Sequence, residues 1–126
     1  MVDNIYCWRY IRGVVEVVGT AEFEQWFRGL GKKEEAAVVR AVDILEQKGV
    51  TLGFPNSSAI ESAKSIALRE LRIQSGGHAL RVFYVFDPIR RAVLLIGGDK
   101  TGDDRFYEKF IPMAERIYGH YLREIK

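Results

Sequence analysis

The chain has 126 residues, 48% apolar and 29% charged, with two histidines and one cysteine, Cys7. That length suits one domain with its own core, the composition excludes a disordered chain, and a lone thiol excludes an internal disulfide framework. The net charge of +2 is uneven: residues 1–63 balance to −2 and residues 64–126 to +4, so a polyanion would meet the second half, although a plain solvated basic face has the same signature.

The opening MVDNIYCWRYIRG mixes aromatics with charge and lacks the apolar core of a signal peptide. No apolar run is long enough to span a bilayer. The expected setting is therefore the cytoplasm, with a single domain over 1–126 and residues 1–13 as an N-terminal extension. VVEVV at 14–18 is short and β-branched and predicts a strand. Thr20 is a plausible N-cap for a helix carrying Phe23, Trp26, Phe27 and Leu30 at helical spacing. A second helix is predicted over 32–48, with Glu34 and Glu35 at its positive end and Val38, Val42 and Leu45 along one stripe. Residues 50–65, rich in Gly, Pro, Asn and Ser, read as loop.

Three strands follow in quick succession, at 67–73, 79–86 and 91–98, joined by the turn-rich QSGGH and DPIR, and predict an antiparallel meander. Alternation places Leu68, Glu70 and Arg72 on one face of the first strand, with Arg69, Leu71 and Ile73 on the other. In the second strand Arg81, Phe83 and Val85 oppose Val82, Tyr84 and Phe86. Apolar residues on both faces imply a sheet covered on both sides. The last segment, from Asp103 onward, is helical by pattern, with Asp103 or Asp104 as cap. Pro112 predicts a kink or a break into two helices. The expected order is β-α-α-β-β-β-α, an α+β fold.

GGDKTGDDRFYE at 97–108 superficially resembles a phosphate-binding loop. A nucleotide loop needs G-x-x-x-x-G-K-[ST] between a parallel strand and a helix. Here Lys100 precedes its glycine, the glycine spacing is wrong, and Asp99, Asp103 and Asp104 would repel a phosphate. The alternative is a turn that lifts Lys100 to the rim of the sheet, with Gly97 and Gly98 ending the last strand abruptly.

LRELRIQSGGHALRVFYVFD, followed by GGDKTGDDRFYE and IPMAERIY, resembles the RelE/HigB-type toxins of type II toxin–antitoxin systems, and most closely their phage-derived branch. The resemblance runs from about Val14 to Tyr121. It implies a RelE-like fold and a metal-independent mRNA endoribonuclease, working at the ribosome and silenced by an antitoxin, expected to be of helix-turn-helix type. DNA would be met only through that antitoxin, and no membrane or cofactor is implied. Carried onto this chain, the resemblance makes Arg81 the central phosphate-contacting arginine and Arg72 a basic neighbour. Lys100 takes the basic position after the last strand, and Tyr107 the functional aromatic. Arg69, His78 and Arg105 complete the expected RNA-binding set. Glu70 departs from the family pattern, which has lysines in that strand; a carboxylate there can act as base or weaken cleavage.

Such a cleavage needs a base for the 2′-OH, an acid for the leaving 5′-oxygen, and cations for the charge that develops. Arginine forks suit phosphate oxygens, a turn lysine is a cation or a base, and tyrosine can stack on a base or donate a proton. Each residue also has a plainer reading: Arg72 and Lys100 as solvated surface, Tyr107 as core, His78 and His120 as exposed. Arg81, inside an apolar run, needs a partner or a ligand. Two histidines and one cysteine make no metal site. A gyrase poison resembling ParE, or an inactive antitoxin-binding module, fits the same scaffold. A partner is expected over the sheet and the helical hairpin at 20–48, docking through an apolar helix or strand, with Trp26 or Phe27 partly exposed for it.

Overall fold

The computed structural model describes the backbone of residues 8–10 and the whole of residues 14–125. The remainder of the 1–13 extension, Cys7 included, lies outside the described residues. One six-stranded sheet is built from β1 (Trp8–Tyr10), β2 (Val17–Gly19), β3 (Ser57–Ala59), β4 (Arg69–Ser75), β5 (His78–Phe86) and β6 (Ala92–Asp99), in the spatial order β1-β2-β6-β5-β4-β3. The helices are α1 (Ala21–Arg28), α2 (Lys32–Lys48) and α3 (Phe106–Glu124). All neighbouring strands are antiparallel except β2 and β6, which run parallel. This is the expected α+β order, with β1 and β3 added at the two edges.

The β4–β5–β6 meander is as expected from alternation. A two-residue turn, Gly76-Gly77, joins Ser75 to its partner His78, and both glycines have positive φ, 55° and 85°. That is the geometry whose twist matches an antiparallel hairpin. The register sets Arg72 opposite Arg81, Glu70 opposite Phe83, and Arg81 opposite Gly98. One face of the sheet (Val17, Leu71, Ile73, Leu80, Val82, Tyr84, Leu94) packs with Phe23 of α1 and Val38, Val42 and Leu45 of α2. The other face (Val18, Leu68, Phe83, Val85, Val93, Leu95) packs with Phe106, Ile117, Tyr118 and Tyr121 of α3. The sheet is thus covered on both sides, which is why its central strands are apolar on both faces.

Four local expectations are corrected. The strand expected at 14–18 is β2, Val17–Gly19, because the N–H groups of Val14 and Val15 donate to the Glu46 carbonyl at the end of α2. Gly97 and Gly98 do not end β6, which continues to Asp99. They make room instead: a Cβ on Gly97 would stand 2.3 Å from the Trp26 ring, and one on Gly98 2.7 Å from the Phe110 ring. The two glycines therefore seat α1 and α3 against opposite faces of one strand. The last helix starts at Phe106, since the Asp103 carboxylate is spent on the Arg105 N–H and the Lys109 ammonium. It runs unbroken through Pro112. Pro112 lies on the exposed side, where the carbonyl its ring leaves without a donor can meet water.

Candidate functional site

Period-2 geometry and the hairpin register bring Glu70, Arg72 and Arg81 to the α3 side of the sheet. Glu70 is 4% exposed and Arg81 6%, in a setting where an unpaired charge would be costly. Glu70 is the hub. Its Oε1 accepts from the Tyr107 hydroxyl at 2.7 Å and lies 3.5 Å from Arg81 Nε. Its Oε2 accepts from Ser58 Oγ at 2.9 Å and lies 3.4 Å from Arg72 Nη1. Arg81 also donates from Nη1 to the Leu80 carbonyl at 2.9 Å, while its buried Nε makes no hydrogen bond beyond that long ion pair. A carboxylate thus gathers two arginines and a phenol from three elements.

Tyr107 reaches this hub from the first turn of α3, its ring edge-on to Phe83 and Phe106 with centroids 6.1 and 5.3 Å away. Burial, then the bond to the Glu70 carboxylate, hold its phenol above the usual tyrosine range, although the Arg81 guanidinium pulls the other way. At neutral pH it is a proton donor, not a base. Arg72 and Arg81 also line a common cleft of about 180 Å³ with Pro55, Ile73 and Gln74. The Arg81 side chain is 7% exposed and the Arg72 side chain 32%. Arg81 therefore forms the floor of the cleft and Arg72 its mouth.

The other expected site residues lie apart from this cluster. Lys100 follows β6 directly and donates its N–H to the Ala79 carbonyl at 2.9 Å, which puts it beyond Gly98 at the same end of the sheet as Arg81. Among the described residues no bond joins its ammonium to Glu70, Arg72, Arg81 or Tyr107. His78 Nδ1 is hydrogen-bonded to Asp99 Oδ2 at 2.6 Å, and Thr101 Oγ1 accepts from the Ala79 N–H at 2.8 Å. These bonds fix the strand ends beside Lys100. Arg105 is exposed and faces Glu108 at 4.0 Å.

Arg69 is on the opposite face. It donates to Ser57 Oγ, the Tyr84 hydroxyl and the Leu52 carbonyl at 3.1, 3.3 and 3.4 Å, bracing β3 and the loop before it. Ser58 is the cluster member that sequence reasoning missed. Its segment reads as loop, and only the pairing of β3 with β4, which sets Ser58 opposite Glu70, brings it in. Among the described residues no group of three or more His, Cys, Asp or Glu is placed to hold a metal ion, and no helix is long and apolar enough to cross a membrane.

Residues 25–119, well over half the chain, match the family described as phage-derived protein Gp49-like. A Mycobacterium tuberculosis protein named "Putative toxin HigB3" is 38% identical over 107 residues, which are 84% of this chain and 92% of that protein. A second from the same organism, "Putative toxin HigB2", is 30% identical over 112 residues, covering 85% of this chain and 56% of its own length. The matched region contains every residue of the cluster.

Proposed function

The chain belongs to the phage-derived Gp49-like family, RelE/HigB-type in kind, and from that membership we propose that it is the toxin of a toxin–antitoxin module and cuts mRNA at the ribosome without a metal. The observation that carries the catalytic part is the Glu70 hub, which assembles two arginines, a carboxylate and a phenol held above its usual pKa range beside a cleft of about 180 Å³ that both arginines line. In this reading Arg72 and Arg81 turn from Glu70 to the scissile phosphate, where bidentate guanidinium contacts balance the charge gained in the transition state. Glu70, freed of its cations, takes the 2′-OH proton. The 2′-oxygen bonds to phosphorus, the bond to the 5′-oxygen breaks, and Tyr107 protonates that oxygen. The products are a 2′,3′-cyclic phosphate and a 5′-hydroxyl. Attacking and leaving oxygens stand on opposite sides of phosphorus, so the reading requires the 2.7 Å contact between Tyr107 and Glu70 to open around the phosphate. Lys100 adds a cation at the rim.

Arg69 belongs to the scaffold in this reading, and Arg105 and His78 to the approach of the RNA backbone. The partners are mRNA, the ribosome and a cognate antitoxin, and the cytoplasm is the place of action. Induced expression should arrest growth, and mapping should find new mRNA 5′ ends that carry a hydroxyl. Arg81→Met should abolish those ends. Growth arrest that persists in Arg81→Met with no new RNA ends would overturn the nuclease in favour of a gyrase poison. One observation favours that second reading: Glu70 already pairs with both arginines, as it would in a purely structural ion-pair network.

A further inference from the structure

The loop before β3 ends in a turn whose aromatic residue has no role in the core. Phe54 is 76% exposed, the one aromatic among the described residues that is mostly in solvent. The Arg72 guanidinium stands over one face of its ring, 5.2 Å from the centroid. Its neighbour Pro55 lines the cleft that Arg72 and Arg81 share. The turn is tied down on both sides: the N–H groups of Asn56 and Ser57 donate to the Gly53 carbonyl at 3.1 Å, and the Arg72 N–H donates to the Asn56 carbonyl at 2.9 Å. The ring is therefore held in register with the mouth of the cationic cleft and not left on a free loop.

We propose that Phe54 is a stacking platform for the unpaired nucleobase that adjoins the phosphate held at Arg72 and Arg81, an inference that rests on the RNA-cleaving reading above. Single-stranded RNA is gripped by aromatic faces interleaved with cations, because every base offers a π-face whatever its sequence. Arg72 serves both partners, presenting charge to the phosphate while its guanidinium packs against the ring that receives the base. Gly53 and Asn56, beside the ring, bring no further large apolar side chain, and the adjoining cleft is cationic. This suits one base and its phosphate better than the apolar anchor of a protein partner.

The test is titration of a short single-stranded RNA, 2′-O-methylated throughout so that it cannot be cut and carrying 2-aminopurine at successive positions. Wild-type protein should quench one position, and Phe54→Ala should remove that quench and weaken binding by roughly 5- to 150-fold, the usual range for one stacked base. Phe54→Leu should behave like the alanine variant, since bulk without a π-face does not stack, and Phe54→Trp should keep the quench. As an exposed side chain, Phe54 can be replaced with little change in thermal melting. Binding without a quench in the wild type, or unchanged affinity in Phe54→Ala, would overturn the platform while leaving the nuclease reading intact, and would return the ring to a protein partner. Failure of the wild type to bind the oligonucleotide at all would overturn the platform, while the nuclease reading stands or falls on the mapped mRNA 5′ ends.

Discussion

Exchanging either half of the Glu70–Arg81 pair should separate folding from chemistry, because the two residues lose different things. In Glu70→Gln the Arg81 guanidinium stays buried with only the Leu80 carbonyl as a firm acceptor. Breaking a buried pair by removing one charge costs about 3–5 kcal/mol. The glutamine oxygen can still accept from Tyr107 while its NH2 donates to Ser58 Oγ, which puts the cost near the lower end, about 3 kcal/mol. At ~2.1 cal/mol/K per residue, the unfolding entropy of 126 residues converts that to a fall in Tm of roughly 11 °C. In Arg81→Met the carboxylate keeps Tyr107 at 2.7 Å, Ser58 at 2.9 Å and Arg72 at 3.4 Å, and the methionine fills the space, so about 1–2 kcal/mol is expected. Cleavage should order the other way on a per-folded-molecule basis, with Arg81→Met the deeper loss. Melting curves by circular dichroism, alongside RNA cleavage at a temperature where both variants are folded, give the two orderings. A Glu70→Gln protein melting within about 2 °C of wild type would refute the buried-hub argument.

Three further outcomes follow from the same contacts. Gly97→Ala should destabilise more than an ordinary overpacking change, at the top of the range of about 1–3 kcal/mol, because its Cβ meets the wall of the Trp26 ring at 2.3 Å; denaturant titration measures it, and a neutral result would mean that α1 shifts freely. Arg69→Ala should lower Tm yet leave cleavage by the folded protein unchanged, since its bonds go to Ser57, Tyr84 and Leu52; a selective loss of RNA affinity would restore it to the interface. Tyr107 and Tyr118 are held above the usual phenol range by burial first, with the Glu70 and Asp87 carboxylates respectively adding to it, and Tyr121 by burial and its bond to Asp87. A raised folded pKa contributes stability that is fully present below the unfolded value, about 10, and lost as pH rises through the folded value. Alkaline titration followed at 295 nm should therefore show these phenols ionising together with unfolding, and early, independent ionisation would contradict their burial.

The meander and the two-helix hairpin were legible because they rest on local signals. β-branched runs, a Thr20 cap that does accept the Phe23 N–H, and a Gly-Gly turn each act within a few residues. What could not be read depends on pairing across the chain. β3 is three residues of Ser-Ser-Ala with no strand propensity of its own, and it becomes a strand only because β4 offers an edge. The glycines of β6 looked like a strand end because absent side chains give no sign of what fills the space; Trp26 and Phe110 come from helices distant in sequence. In the same way Glu70 could be noticed as an acidic residue in a basic strand, but its role as hub depends on Tyr107, 37 residues away, and on Ser58.

In the proposed RNA-cutting reading, the arrangement bears on how such a site would be held ready without a ligand. Two arginines facing one shallow cleft would repel each other and leave a buried guanidinium unpaired, at a cost that a domain of this size can ill carry. Glu70 removes that cost in the free protein, and it does so with bonds that an RNA phosphate can replace in kind, one anionic oxygen for another. The exchange is uneven between the two cations. Arg72, a third exposed and joined to Glu70 at 3.4 Å, can turn to the phosphate first, while Arg81 must follow from the floor of the cleft. Each arginine that turns away frees one Glu70 oxygen from its ion pair. In the proposed reading, phosphate binding would free the Glu70 carboxylate at the moment a base is needed, so that the acidic residue of a basic strand would link binding to proton transfer.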